Sequence, residues 1–296
     1  MRKFFFILLR FSGLPFLFRF FIQKKNITIV LFHNPEVEAA DMAITHLKSK
    51  FNIIDLNEYI SAVKNQDFSS IPKFPMIITF DDGHIKNYEL LPVFKKHHVP
   101  VTIFLCASII DTNRHFWFNK KLDDNLKTVS NSQRLSILEK YNFDQHQEYE
   151  SPQALNSIQI KEMIPFVNMQ SHTLFHPILP KCDLEEANHE ISHSKKLLED
   201  KYNLIINTIS YPNGDYSKRD IELAKKAGYE CGITVDFGFN NNKPDLFRLK
   251  RISVNDTSDI NELIVKSTGV WGFFKTFNGL KQSYGLHYEK NSSIKK

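Results

Sequence analysis

Cysteine is scarce in this chain, and its placement excludes two classes of small protein. Three cysteines, Cys106, Cys182 and Cys231, are spread over 296 residues. An odd number of distant cysteines fits neither the disulfide framework of a small secreted domain nor a Cys-x-x-Cys metal site. Because Cys106 and Cys231 lie in apolar, strand-like segments, we expect buried free thiols.

The chain also lacks a block of charge of one sign. Its net charge of +5 and pI near 8.9 come from Lys and Arg scattered along the sequence. This pattern gives little support to a nucleic-acid partner and is compatible with an anionic membrane surface. Hydrophobic content of 42% and a length of 296 residues are ordinary for a globular protein with one large core or two modest ones.

The N-terminal segment is apolar but has no long uncharged run. Basic residues interrupt it, and its longest uncharged stretch, residues 11–18, has 8 residues. A membrane-spanning helix needs roughly 20, and a cleaved signal peptide would keep its charges ahead of an unbroken apolar core. We therefore expect residues 1–25 to lie in a membrane interface. The alternative is an apolar arm that packs on the domain or on a partner subunit.

The body of the chain alternates between strand-like and helix-like segments, and no internal repeat is present. This order predicts an α/β fold with a parallel sheet and covering helices over residues 26–270. Residues 107–157 interrupt this alternation of strands and helices, and they are predicted to form an insertion near the mouth of the site. Residues 271–296 are predicted to be a C-terminal extension that ends in a polar tail. The predicted strands are 27–32, 51–54, 76–80, 101–105, 167–170, 205–210, 231–235 and 249–254, and the predicted helices are 39–50, 56–65, 87–97, 132–140, 184–201 and 220–227.

Two short motifs carry the chemistry. Thr79-Phe80-Asp81-Asp82-Gly83 follows an apolar strand, and Ser171-His172-Thr173-Leu174-Phe175-His176-Pro177 comes about ninety residues later. One Asp and two His form a common open ligand set for a catalytic divalent metal. The other Asp is then free to take a proton from metal-bound water. Because these residues follow predicted strands, they can meet at the carboxyl end of a parallel barrel.

Together the two motifs resemble the polysaccharide deacetylase family, whose catalytic part is called the NodB homology domain, of the carbohydrate esterase family 4 type. That family reads Thr-Phe-Asp-Asp-Gly and then His-Ser/Thr-x-x-His, as residues 79–83 and 172–176 do here. The resemblance is greatest to bacterial exopolysaccharide and envelope-glycan deacetylases. It implies a distorted (β/α)7 barrel, with Asp82, His172 and His176 as metal ligands and Asp81 as the general base. It also implies one divalent metal ion, zinc first, with cobalt, nickel or iron as alternatives.

The rest of the site departs from the family pattern. The third motif usually reads Arg-x-Pro, and the matching stretch here begins Ser210-Tyr211-Pro212, so its arginine is absent. Tyr211 and the backbone N–H of Asn213 are the candidates for substrate or oxyanion contacts. Arg251 is a candidate substitute for the missing arginine, or else a structural or solvated residue.

Two possible roles remain open for His33, and two for the aromatic pair Trp117 and Phe116. His33, which follows the first strand, is either the general acid that protonates the leaving nitrogen or a structural histidine. Trp117 with Phe116 forms either a sugar-stacking platform or part of the packing of the insertion.

The resulting prediction is a metal-dependent hydrolase that removes acetyl groups from N-acetylated sugars of a polysaccharide or an envelope-glycan precursor. The alternatives are a carbohydrate O-acetyl esterase, a small-amide C–N hydrolase and a catalytically silent glycan-binding protein. The apolar N-terminus favours a lipid-linked or envelope glycan and a peripheral membrane location in the bacterial envelope. The unpaired cysteines and the lack of a signal-peptide pattern favour the cytoplasmic face.

Overall fold

Seven parallel strands close into a ring in the computed structural model, which describes residues 2–120 and 124–277. β1 pairs with β3 on one side and with β8 on the other, which closes the barrel. β2 pairs only with the first residues of β3 and stays outside the ring. The predicted (β/α)7 barrel is therefore confirmed. The strands are β1 Thr28–Phe32, β2 Asn52–Ile53, β3 Pro75–Phe80, β4 Val101–Leu105, β5 Val167–Ser171, β6 Thr208–Ser210, β7 Cys231–Phe237 and β8 Leu249–Ser253.

Helices cover the outside of the ring. They are α1 Arg2–Phe11, α2 Leu14–Phe18, α3 Val37–Lys50, α4 Leu56–Asn65, α5 Leu91–His97, α6 Asn131–Glu139, α7 Ser157–Met163, α8 Leu184–Tyr202, α9 Lys218–Lys226, α10 Ile260–Ser267 and α11 Val270–Phe277. Asp55 caps α4 by accepting a hydrogen bond from Asn57 N. The predicted helix 87–97 divides into a 3-10 turn, Ile85–Leu90, and α5. Pro92 lies in the first turn of α5, where its missing N–H is tolerated.

Alternation along the strands divides the apolar residues between the inside and the outside of the barrel. Ile29, Ile77 and Phe104 belong to a small buried cluster with Tyr59 of α4. Two residues of α4 form hydrogen bonds with residues that flank the strands. Asn57 accepts one from Asn207, and Tyr59 donates one to Asn241. This helix therefore covers the amino-terminal end of the barrel, and the opposite end is left for polar side chains.

The outward-facing strand residues form the main core with the helices. Val30, Ile78 and Ile103 pack there with side chains of α3, α5 and α8 such as Leu47 and Phe94. These side chains are almost fully buried, and each contributes about 1.5–3 kcal/mol of hydrophobic free energy. The motif-bearing strand ends therefore stand on a rigid scaffold.

The N-terminal segment is helical and packs on the last two helices. Phe6 and Leu9 of α1 are buried against Val265 and Val270. The opposite surface is open to solvent, with exposed fractions of 65% at Phe4, 74% at Phe11 and 73% at Phe21. The alternative of an arm that packs on the domain thus holds for one face of the segment.

The described part of the chain contains no single helix that is long and apolar enough to cross a membrane. The segments Arg2–Phe11 and Leu14–Gln23 reach the required length and composition only as a pair, which is bent by 57°. The predicted polar tail, from residue 288 onwards, and residues 278–287 of the predicted C-terminal extension lie outside the described residues.

Candidate active site

Polar side chains gather at the carboxyl ends of four strands. Asp81 and Asp82 follow β3, His172 follows β5, Ser210 ends β6, and Arg251 lies on β8. Parallel strands place these ends at one rim of the barrel. The rim surrounds a cavity of about 610 Å³, which His33, Asp81, Asp82, His172, His176, Asn213 and Arg251 help to line. Of the predicted site residues, only Tyr211 is missing from this lining.

The three predicted metal ligands converge. Asp82 Oδ1 lies 3.5 Å from His172 Nε2 and 3.5 Å from His176 Nε2. One candidate ligand atom from each residue falls within 4.8 Å of the others, and all three residues are buried. Two imidazoles and one carboxylate on one side of an open cavity form the donor set of a catalytic zinc or related divalent ion.

The hydrogen bonding and electrostatics of this cluster fit a bound cation. His172 Nδ1 lies 2.7 Å from the carbonyl oxygen of Ser210, which can only accept, so Nδ1 carries the proton and Nε2 keeps its lone pair. Burial holds the pKa of His176 well below its usual range, so its imidazole is neutral, as a ligand must be. Burial also raises the pKa of Asp82, a cost that a bound cation would remove.

Backbone conformations that side chains rarely adopt position the ligands. Asp82 has φ of 75° and His176 has φ of 59°. Gly83, with φ of 68°, allows the chain to turn against β4, where a Cβ atom would lie 2.7 Å from Leu105 Cδ2. Such conformations cost roughly 1–3 kcal/mol each and persist only where neighbouring contacts enforce them. Both the positive φ and the contact with Leu105 therefore favour glycine at the last position of the acidic motif.

Two residues hold the histidine segment in place, a role that the sequence motifs do not predict for either of them. Glu190 of α8 accepts hydrogen bonds from the N–H groups of Leu174 and Phe175, at 2.8 and 3.0 Å. Burial raises the pKa of Glu190 to about 7, against the effect of these two bonds. Trp117 Nε1 donates to the carbonyl oxygen of His176 at 2.8 Å. Glu190 could have been noticed in the sequence, because it lies on the apolar stripe of its helix.

Arg251, the candidate substitute for the arginine that the third motif lacks, forms an ion pair with Asp81. Its Nη1 and Nη2 donate to Asp81 Oδ1 and Oδ2 at 2.7 and 2.8 Å, and its Nε donates to Thr234 O at 2.7 Å. Ser210 stands where the third motif usually has arginine, and its small side chain leaves room for the Arg251 guanidinium. Arg251 Nη2 donates a hydrogen bond to Ser210 Oγ at 2.9 Å. Burial by itself would raise the pKa of Asp81, but the charge of Arg251 holds it below the usual range. Asp81 is therefore ionised beside the ligand cluster, with Oδ2 3.9 Å from His172 Nε2.

His33 lies on the wall of the same cavity. The Asp256 carboxylate accepts hydrogen bonds from the N–H groups of His33 and Asn34 at 2.9 and 3.0 Å. Asn87 Nδ2 donates to the carbonyl oxygen of His33 at 2.7 Å. The backbone of this segment is thus fixed on both sides, while the imidazole lines the cavity.

The structure does not support a substrate contact for Tyr211. Its side chain is fully buried, its hydroxyl donates to Phe247 O at 3.2 Å, and its N–H donates to Ile233 O. Ser210 faces the barrel interior, so the next residue points outward. Asn213 does line the cavity, with φ of 56°. Phe116 is also buried, so the packing alternative holds for it, while Trp117 reaches the cavity wall.

Comparison with known proteins agrees with this geometry. The family model described as polysaccharide deacetylase matches residues 70–232, a little over half of the chain, so the chain belongs to this family. The match contains both motifs. The resemblance inferred from residues 79–83 and 172–176 is therefore confirmed.

Two curated relatives are similar over part of their length. A Bacillus subtilis protein named for the same family, YxkH, is 26% identical over 182 residues, which are 61% of this chain and 51% of that protein. The poly-beta-1,6-N-acetyl-D-glucosamine N-deacetylase of Staphylococcus epidermidis is 25% identical over 217 residues, which are 72% of this chain and 64% of that enzyme. This chain therefore matches about half to two thirds of the length of these relatives.

A solved structure shares the fold. The Streptococcus pyogenes deacetylase PplD, in complex with acetate, superimposes with a TM-score of 0.62 and 19% identity. The alignment covers 82% of this chain and 98% of that one. At 19% identity, this similarity shows that the two chains share the barrel fold and shows nothing beyond the fold.

Proposed function

We propose that this protein is a metal-dependent hydrolase that removes acetyl groups from N-acetylated sugars of a polysaccharide or an envelope-glycan precursor. The observation that carries the proposal is the placement of Asp81 beside the Asp82, His172 and His176 cluster at the rim of one cavity. Family membership and the relative named for N-deacetylation support it. The bond cleaved would be the amide of an acetamido sugar, not a peptide bond.

The mechanism assigns one role to each residue. A divalent cation held by Asp82, His172 and His176, with zinc as the best fit to this donor set, would polarise the acetyl carbonyl and make a water more acidic. Asp81, oriented by Arg251, accepts the proton that this water loses. The N–H of Asn213 donates to the oxyanion that develops on the carbonyl oxygen. His33 donates a proton to the departing nitrogen, and acetate and a free amine result.

The test compares amide and ester substrates. Purified protein is given an N-acetylated and an O-acetylated oligosaccharide of the same sugar, and acetate is measured. We expect faster release from the N-acetylated substrate and loss of that release in the Asp81→Asn variant. Faster release from the ester would instead make the protein an O-acetyl esterase. Binding of both oligosaccharides without any acetate would make it a glycan-binding protein.

We also propose that the N-terminal helices rest on an anionic lipid bilayer. Residues 1–25 contain six basic residues and no acidic one, so their charge complements anionic headgroups. The exposed face carries Phe4, Phe11 and Phe21, which would enter the boundary between headgroups and acyl chains. The location of the protein at the cytoplasmic face of the envelope remains a prediction.

Vesicle sedimentation tests this attachment. A variant with Phe4, Phe11 and Phe21 all changed to Ser should stay in solution when phosphatidylglycerol vesicles are pelleted, whereas the unchanged protein should pellet. The control changes Ile158 and Ile205 to Ser, because these residues are 68% and 83% exposed on the barrel. Equal loss of sedimentation in the two variants would contradict attachment through the N-terminal helices.

A further inference from the structure

A second cavity opens beside the catalytic one. It has a volume of about 560 Å³ and is lined by Arg2 and Phe5 of the N-terminal helix and by Asn255, Lys266, Trp271 and Lys275. The last four of these residues also line the catalytic cavity. The two cavities therefore meet along a shared wall, and we call the second one the side cavity.

The side cavity is rich in positive charge. Arg2 Nη2 and Lys266 Nζ each lie 2.6 Å from the same oxygen, Glu262 Oε1, so one carboxylate serves two adjacent cations. Lys275 adds a third cation, with its Nζ 5.5 Å from the centroid of the Trp271 ring. Three positive charges and one negative charge leave an excess that favours an anionic ligand.

Lys266 is the strongest indication of a binding site. The residue is 2% exposed, and among the described residues its Nζ has no partner with hydrogen-bond geometry, despite the short ion-pair distance to Glu262. Burial lowers the pKa of Lys266 and outweighs the opposing effect of Glu262, and the charges of Arg2 and Lys275 lower it further by smaller amounts. A buried ammonium group with unused protons is costly unless another acceptor reaches it.

The surroundings of the side cavity indicate what carries the anion. Phe5 and Phe6 contact Trp271 with ring centroids 5.9 and 5.3 Å apart, which joins the side cavity to the N-terminal helix. The outer face of that helix exposes Phe4 and Leu8. A ligand bound here would place its charge between a sugar-sized catalytic cavity and an apolar surface.

We infer that the side cavity binds the phosphate group of a lipid-linked glycan, with the lipid chain along the exposed N-terminal helices and the sugar in the catalytic cavity. The inference deepens the proposed function by naming the substrate class. Arg2, Lys266 and Lys275 donate to the phosphate oxygens, as cationic side chains do at phosphate sites. The catalytic cluster then acts on a sugar at a fixed distance from the membrane surface.

The test measures a preference between two anionic surfaces. Vesicles of phosphatidylcholine are prepared with a polyprenyl phosphate or with enough phosphatidylglycerol to give the same surface charge, and binding is followed by sedimentation. We expect the protein to bind the polyprenyl phosphate vesicles about tenfold more tightly. Inorganic phosphate in solution should reduce that preference, since it competes for the same cations.

Variants separate the side cavity from general attraction to anions. Arg2→Ala and Lys275→Ala should abolish the preference, whereas Lys3→Ala and Lys25→Ala, which change exposed cations elsewhere on the N-terminal segment, should weaken binding to both vesicles alike. No preference in the unchanged protein, or its loss in all four variants, would overturn the inference. Acetate release from a free N-acetylated oligosaccharide is measured separately. If that release fails while the preference persists, the proposed reaction is wrong and the phosphate site stands.

Discussion

Arg251 and Asp81 form a buried ion pair through two parallel hydrogen bonds, although 170 positions separate them in the chain. Closure of the barrel brings them together, because β1 lies between β3 and β8. The arginine side chain is fully buried, so its charge has no water as a substitute partner. The pair therefore fixes the orientation of the carboxylate that we propose as the general base.

Because Arg251 and Asp81 form this ion pair, we expect substitution of Arg251 to lower both the stability of the protein and its rate of acetate release. Arg251→Met should cost about 3–5 kcal/mol of unfolding free energy, because it leaves a buried carboxylate without its partner. The double variant Arg251→Met with Asp81→Asn should regain most of that stability but no activity. Denaturant unfolding and acetate release measure the two effects. Full activity in Arg251→Lys would contradict a need for the two-pronged guanidinium contact.

Substitutions at the two acidic positions should separate metal binding from catalysis. Asp82→Ala and His172→Ala should lose bound metal and activity together. Asp81→Asn should keep the metal and lose rate by about 10²–10⁴-fold, the usual contribution of a general base. Metal content by elemental analysis and acetate release are measured on the same samples. Loss of metal in Asp81→Asn would show that Asp81 is itself a ligand.

The role of His33 can be tested with a substrate that needs no general acid. His33→Ala should slow acetate release from an N-acetylated oligosaccharide by about 10²–10⁴-fold, because the amine must be protonated as it leaves. An aryl acetate has a phenolate leaving group that departs without protonation, so its hydrolysis should change little. Equal losses on both substrates would assign His33 a structural role. Asp256→Ala should resemble His33→Ala if Asp256 positions this segment.

Glu190 should make stability depend on pH. Its pKa is raised from 4.5 to about 7 in the folded protein, so the neutral form is favoured by folding. The stabilising contribution is therefore fully present below pH 4.5 and is lost as the pH rises through about 7. In chelator-treated protein, unfolding free energies across this range should fall in the unchanged chain and be flatter in Glu190→Gln. Equal slopes would show that Glu190 does not titrate in this range.

Glu190 should also affect the metal site through the histidine segment. Glu190→Ala leaves the N–H groups of Leu174 and Phe175 without their acceptor, and His172 and His176 lie on either side of them. By analogy with residues that orient metal ligands elsewhere, we expect metal affinity to fall about 10–100-fold. Glu190→Gln, which keeps an acceptor oxygen, is the matched control. Metal affinity is measured by competition with a chelating dye, and unchanged affinity in Glu190→Ala would refute this role.

Much of the barrel and the core of the candidate site could be predicted from local sequence. Asp81, Asp82 and His172 follow apolar strand segments directly, and strand ends of a parallel barrel share one rim. The partner of Asp81 could not be derived in this way, because strand closure and the space left by Ser210 both decide where the Arg251 guanidinium lies. The outward orientation of the Tyr211 side chain could have been predicted, because Tyr211 follows an inward-facing residue and side chains alternate along a strand.

The N-terminal segment shows a different limit of sequence reasoning. Its composition indicates an amphipathic surface, and the exposed fractions of Phe4 and Phe11 agree with that. Nothing in the local pattern says that Phe6 packs against Trp271, or that Arg2 and Lys266 share one carboxylate oxygen. These contacts come from α10 and α11, which are absent from the helices predicted from the sequence, and they create the side cavity.

Metal-reversible acetate release is the most direct test of the proposed reaction. Purified protein is assayed on an N-acetylated oligosaccharide as isolated, after chelation, and after zinc or cobalt is restored. We expect release that disappears on chelation and returns with either metal, because Asp82, His172 and His176 are the residues that would hold the ion that the reaction requires. Release that is indifferent to chelation of all bound metal would contradict it, as would the absence of release from protein shown to carry the metal.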